Sequence, residues 1–116
     1  MNEREFKKRT KQMALRVIKL VDSLPNSMTA KVIGKQILRS ATSVGANYRA
    51  ACRGKSKADM LYKLAIVEEE ADETLYWLEL LLEAEIFPEA RLKNLMSEVD
   101  RITAMVVSSI KTLRHK

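Results

Sequence analysis

At 116 residues the chain has the size of one domain, long enough to bury a core without disulfide or metal staples. Hydrophobic residues make up 47% and aromatics 5%, with three glycines and two prolines, a helix-former's composition that argues against disorder and leaves too few turn residues for a β-sandwich or barrel. The formal net charge is +6, the single Cys52 precludes an internal disulfide, no apolar run nears the ~18 residues of a membrane span, and the basic N-terminus lacks a signal peptide's apolar stretch, so a cytoplasmic protein without membrane association is expected.

Pro25, Gly54 and Pro88 divide the chain into segments of about 24, 28, 33 and 28 residues. In the first, Phe6, Thr10, Met13, Val17, Leu20, Val21 and Leu24 share an arc of about 100°, the width of a core-facing stripe. Lys7, Lys8 and Lys11 lie away from it, and Leu15 and Ile18 lie off the stripe toward a second neighbour. The second segment opens with N-cap candidates in Asn26-Ser27-Met28-Thr29. Its apolar side carries Ile33, Ile37, Ala41, Val44, Tyr48 and Ala51, with Gly34, Gly45 and Cys52 beside them. Two interior glycines each cost a helix about 1 kcal/mol relative to alanine. Close approach of a neighbouring helix accounts for them, with a hinge as the alternative.

Ser56-Lys57-Ala58-Asp59 caps the third segment, whose main stripe is Met60, Leu61, Leu64, Val67, Ala71, Leu75, Leu78 and Leu82. Tyr62, Ile66, Trp77, Leu80 and Leu81 lie elsewhere around it. A helix apolar on two sides cannot bury both in one small bundle, so Tyr62, Ile66, Trp77 and Leu81 are the expected subunit interface. The fourth segment starts at Pro88, a good first helical residue, and runs through Leu92, Leu95, Met96, Val99, Ile102, Val106, Ile110 and Leu113 to a basic end. Four long amphipathic helices on short turns predict one all-α domain over residues 1–116, an antiparallel up-down-up-down four-helix bundle with helices about 35 Å long.

Charge is unevenly spread. Residues 1–57 carry 14 Lys/Arg against Glu3, Glu5 and Asp22, while residues 58–116 carry seven against 12 acids. On the second helix Lys31, Lys35, Arg39, Arg49 and Arg53 fall within an arc of about 80°, a ridge about 33 Å long whose centre is the small Thr42 and Ala46. Such a ridge can follow the phosphates of RNA or DNA without reading sequence, since no exposed aromatic interleaves with it for base stacking. The alternative is a scaffold whose cations meet the acidic second half, within one subunit or across subunits. Beside the ridge runs a polar strip, Gln36, Ser40, Ser43 and Asn47. Glu68 sits on the apolar stripe of the third helix, where a carboxylate is costly unless bonded, so it is expected to meet Ser40, Ser43 and Asn47 or to reach Arg39. Otherwise it snorkels at the bundle edge.

Catalysis is not expected. A di-iron bundle needs inward Glu-x-x-His pairs, and the one histidine is His115. Glu68-Glu69-Glu70 diverge by about 100° per residue and cannot converge on an ion. Neither Cys52 nor any serine has an internal histidine to activate it, and there is no glycine-rich phosphate loop. No metal and no cofactor is expected.

The run Ile33-Gly-Lys-Gln-Ile-Leu-Arg-Ser-Ala-Thr-Ser-Val-Gly-Ala-Asn47, followed by Ser56-Lys-Ala-Asp59, resembles the bacterial four-helix bundle family of large-ribosomal-RNA intervening-sequence proteins. The stretch from Lys63 to Leu80 is similar to one branch of it, and the resemblance covers roughly residues 5–112. Where many members continue with an Ile-Ala-Glu-Gly-like run, this chain has Tyr48-Arg49-Ala50-Ala51, losing an acid and gaining a base. The resemblance implies an antiparallel bundle assembling as a ring, commonly a homopentamer. It also implies kinship with the accessory variability determinant proteins of diversity-generating retroelements, which act with nucleic acid and a reverse transcriptase. The expected function is therefore a non-enzymatic oligomer that binds RNA or DNA through Lys31, Lys35, Arg39, Arg49 and Arg53, with Lys7, Lys8 and Lys11 in support and a reverse-transcriptase-like or other protein as partner.

Overall fold

A computed structural model describes residues 2–116. Four α-helices follow one another: α1 (Glu3–Asp22), α2 (Met28–Cys52), α3 (Lys57–Glu83) and α4 (Glu89–Arg114). Each starts where the sequence supplies an acceptor or a rigid φ. Asn2 Oδ1 accepts from Glu5 N at 2.8 Å, Ser27 Oγ from Ala30 N at 3.1 Å and Ser56 Oγ from Asp59 N at 3.0 Å. Such side-chain caps contribute roughly 1 kcal/mol each. Pro88 is the N-cap of α4, one position before the first helical residue, with extended ψ of 136° and no side-chain bond to offer.

Each helix packs against its neighbours in chain order and α1 closes the ring against α4, so the expected up-down-up-down arrangement is the one formed. The bundle measures 47 × 21 × 20 Å. The α1–α4 seam is the sparsest. It is held by Arg9, which donates to both Glu98 oxygens at 2.7 and 2.8 Å. The α1–α2 seam is tight because both glycines face it. A methyl group on Gly34 would meet Leu24 Cδ1 at 3.3 Å, and one on Gly45 would meet Thr10 Oγ1 at 3.2 Å. Both positions are helical, so close approach rather than a hinge explains them.

Buried positions recur at alternating spacings of three and four: 64, 67, 71, 74, 78 and 81 on α3, and 6, 10, 13, 17 and 20 on α1. A seven-residue repeat drifts about 20° per heptad against a straight 3.6-residue helix, as in left-handed bundles. That drift corrects two expectations. Leu81 is fully buried in the core rather than at a subunit interface, because the stripe has rotated onto it by the end of α3. Glu68 falls outside the repeat, is half-exposed and makes no side-chain hydrogen bond among the described residues, so it does not pair with Ser40, Ser43, Asn47 or Arg39.

Thr74 is the partner instead. Its hydroxyl donates to Ser40 Oγ at 2.9 Å, with both side chains fully buried. Ser40 Oγ in turn donates to Ile37 O at 3.2 Å. Ser43 and Asn47 return their hydrogen bonds to α2 itself, at Arg39 O and Ser43 O, the habit of short polar side chains inside helices.

Candidate nucleic-acid interface

The cations of α2 do not form one continuous row. Lys31 and Lys35 stand exposed near its start, Arg49 and Arg53 near its end. Arg39, between them, turns to α3: its guanidinium donates to Glu70 Oε2 at 3.0 Å and to Glu73. Glu73 also accepts from Trp77 Nε1 at 3.0 Å, so one carboxylate anchors an arginine and an indole at the α2–α3 seam. Arg39 is therefore removed from the free ridge, since its charge is spent on two acids of the same chain.

What the ridge loses in the middle it gains at one end. Antiparallel packing at Gly45 and Thr10 lays the first turns of α1 beside the last turns of α2. Lys7, Lys8 and Lys11 thereby line a groove of about 310 Å³ with Arg49. Lys7 Nζ is 3.4 Å from Glu3. Lys8, Lys11 and Arg49 are exposed and have no ion-pair partner among the described residues. Four cations around one concavity focus positive potential more than the same charges on a convex ridge. An anion of phosphate size can take several charge-assisted bonds there at once. The three α1 lysines, secondary in the sequence reading, are thus the ones grouped with Arg49. No wheel drawn for a single helix reveals that grouping, because it depends on how two helices face each other.

A second concavity adjoins this groove at the same end of the bundle. It is a cleft of about 400 Å³ with Leu64 and Ala51 buried at its floor, Tyr48 and Cys52 in its wall, and Glu3 and Ser109 among its polar lining. A neighbouring recess of about 230 Å³ shares Glu3, Tyr48 and Ser109 with it. The Tyr48 ring meets Phe6 edge-on, centroids 4.6 Å apart, which fixes it in the wall. Burial pushes the Cys52 thiol and the Tyr48 phenol above their ordinary pKa values, so both are neutral donors at pH 7. Hydrogen bonding from Cys52, and then the Lys7 ammonium, lowers the pKa of Glu3, which stays a carboxylate.

The aromatic and apolar face of α3 is divided. Tyr62 is 68% exposed, Ile66 is half-buried, and Trp77 is half-buried against Tyr76 with ring centroids 5.1 Å apart. These three remain at the surface, while Leu81 does not. No described helix is long and apolar enough to cross a membrane.

A family model described as the 23S rRNA-intervening sequence protein matches residues 2–108. Among solved structures, the chain is similar to a protein of unknown function from the S23 ribosomal protein family of Bacteroides thetaiotaomicron VPI-5482. The two are 38% identical with a TM-score of 0.88, over 96% of this chain and 99% of that one. No curated protein matches.

Proposed function

The chain belongs to the 23S rRNA-intervening sequence protein family, and from that premise we propose that it is a non-enzymatic, oligomeric module that binds RNA or DNA through phosphate contacts. The observation that carries this reading is the groove of Lys7, Lys8, Lys11 and Arg49, with Arg53 beyond it and Lys31 and Lys35 farther along α2. Phosphates are the ligand such a groove suits best, and contacts of this kind position a strand without selecting sequence. Tyr62, Ile66 and Trp77 support self-association through α3, because large apolar side chains left at a surface favour a covered face. In an oligomer, several weak grooves bind one strand with high avidity.

Arg39 favours a second reading at one position: its pairing with Glu70 and Glu73 is the scaffold role, carried out within one chain. The two readings separate in a titration of labelled single- and double-stranded RNA and DNA at two salt concentrations. Phosphate binding predicts affinity that falls steeply with salt and charge reversal at Arg49 and Arg53 that weakens every ligand alike. The scaffold reading predicts that the same reversals dissociate the oligomer, by light scattering, and leave nucleic-acid affinity unchanged.

A further inference from the structure

The cleft at the end of the bundle is not needed to hold phosphate, yet it is open, sized for a small ligand and chemically mixed. Its volume falls within the roughly 300–1,000 Å³ typical of small-molecule sites. The floor is apolar, through Leu64 and Ala51, and the wall and rim carry the Glu3 carboxylate, the Tyr48, Ser109 and Thr112 hydroxyls, the Cys52 thiol and, at the chain's last residue, Lys116. A flat apolar body with polar edges meets both kinds of surface. Position makes the case more specific. Glu3 belongs to the cleft and Lys7 to the cationic groove, and the two side chains touch at 3.4 Å across one turn of α1. A ligand with a phosphate among Lys7, Lys8, Lys11 and Arg49 would reach the cleft by way of Glu3, which lines the cleft and sits one helical turn before Lys7.

We propose that cleft and groove together form a nucleotide site, in which the groove holds the phosphate and the cleft takes an unpaired base whose Watson–Crick edge meets Glu3. This rests on the phosphate-binding reading and goes beyond it by assigning base selectivity. A carboxylate only accepts hydrogen bonds, so it favours a base presenting two adjacent donors. Guanine does so through N1–H and its amino group. Uracil offers one N–H between two carbonyl oxygens, which the carboxylate repels. Recognition of this kind requires a single strand, because pairing hides the Watson–Crick edge.

The test is fluorescence anisotropy of the full chain with two labelled RNA 11-mers at about 50 mM salt: all uridine, and the same strand with one central guanosine. The wild type is expected to bind the guanosine strand five- to tenfold more tightly. Glu3→Ala brings the two affinities within twofold of each other, and circular dichroism shows the fold unchanged, since the exposed first residue of α1 is not part of the core. Ser109→Leu, an exposed position on the cleft, has the same signature by filling it. Lys8→Gln with Lys11→Gln weakens both strands equally. Equal binding of the two strands by the wild type, or a preference that survives Glu3→Ala, overturns the base site and leaves the phosphate reading standing. Binding of neither strand overturns both.

Discussion

Thr74 and Ser40 form the one side-chain hydrogen bond buried deep between α2 and α3, and they show how a polar pair is tolerated in an otherwise aliphatic core. Removing either partner takes away the bond between the helices but leaves the other an acceptor in its own helix, Ile37 O for Ser40 at 3.2 Å and Glu70 O for Thr74 at 2.8 Å, and removing both loses that one shared bond only once. Thr74→Val is therefore expected to cost about 1 kcal/mol, and the double variant with Ser40→Ala less than the sum of the singles, measured by urea denaturation. Glu68→Gln and Glu68→Leu should each move stability by less than about 0.5 kcal/mol, since the carboxylate makes no bond to lose. Arg9 and Glu98 behave differently. The bidentate arginine holds the Glu98 carboxyl below the usual carboxylate range. A depressed carboxylate stabilises the fold above its unfolded value of about 4.3 and loses that contribution as pH falls through the folded value. Glu98→Gln is expected to cost about 1–2 kcal/mol at pH 7, with the gap to wild type closing in denaturation series below about pH 4. Sequence placed Ser40 next to the core but assigned it to Glu68, because a straight helical wheel puts Glu68 inside and Thr74 at the margin. The seven-residue drift reverses those positions, and threonine, able to satisfy itself by donating a hydrogen bond, carries no charge to betray its burial.

The helices themselves are legible almost throughout. Their breakers, caps and apolar stripes are local properties, so Ser27 and Ser56 cap where the sequence offers them and the stripes of α1 and α4 bury as read except at their edges, where Val21, Leu24, Met96 and Leu113 are only half-buried. The third helix is harder, being apolar on two sides, so its periodicity alone cannot tell Leu81 in the core from Trp77 at the seam. The two α2 glycines test how tight the α1–α2 seam is. Alanine at position 34 meets the end of a flexible, half-exposed Leu24 side chain that can give way, and the gain in helix propensity should raise stability by about 0.5 kcal/mol. Alanine at position 45 meets Thr10, which is β-branched, fully buried and bonded through its hydroxyl to Lys7 O at 3.0 Å. That neighbour cannot move without breaking its own bond, so Gly45→Ala should destabilise by about 1 kcal/mol. Opposite signs in thermal melts of the two variants support the close-approach account, and equal gains in both would refute it.

Across the whole molecule, the division between a basic first half and an acidic second half resolves into two different uses of charge. Where α2 faces α3, Arg39 is neutralised by Glu70 and Glu73 and helps hold the bundle together. Where α2 faces α1, both helices are basic, and Lys7, Lys8, Lys11 and Arg49 are left around a shared groove, with Glu3 paired to Lys7 at its edge. Sequence located the positive charge but not its concentration at one end, because that follows from which antiparallel helix lies alongside. The phosphate account is tested most directly by the salt dependence of single-stranded RNA binding. About four groove contacts predict a slope near −3 in log affinity against log salt, so roughly a 20-fold loss between 50 and 150 mM. Lys8→Gln with Lys11→Gln should bring the slope down by about 1.4 while circular dichroism stays unchanged. A slope that is the same in wild type and double variant would contradict the account.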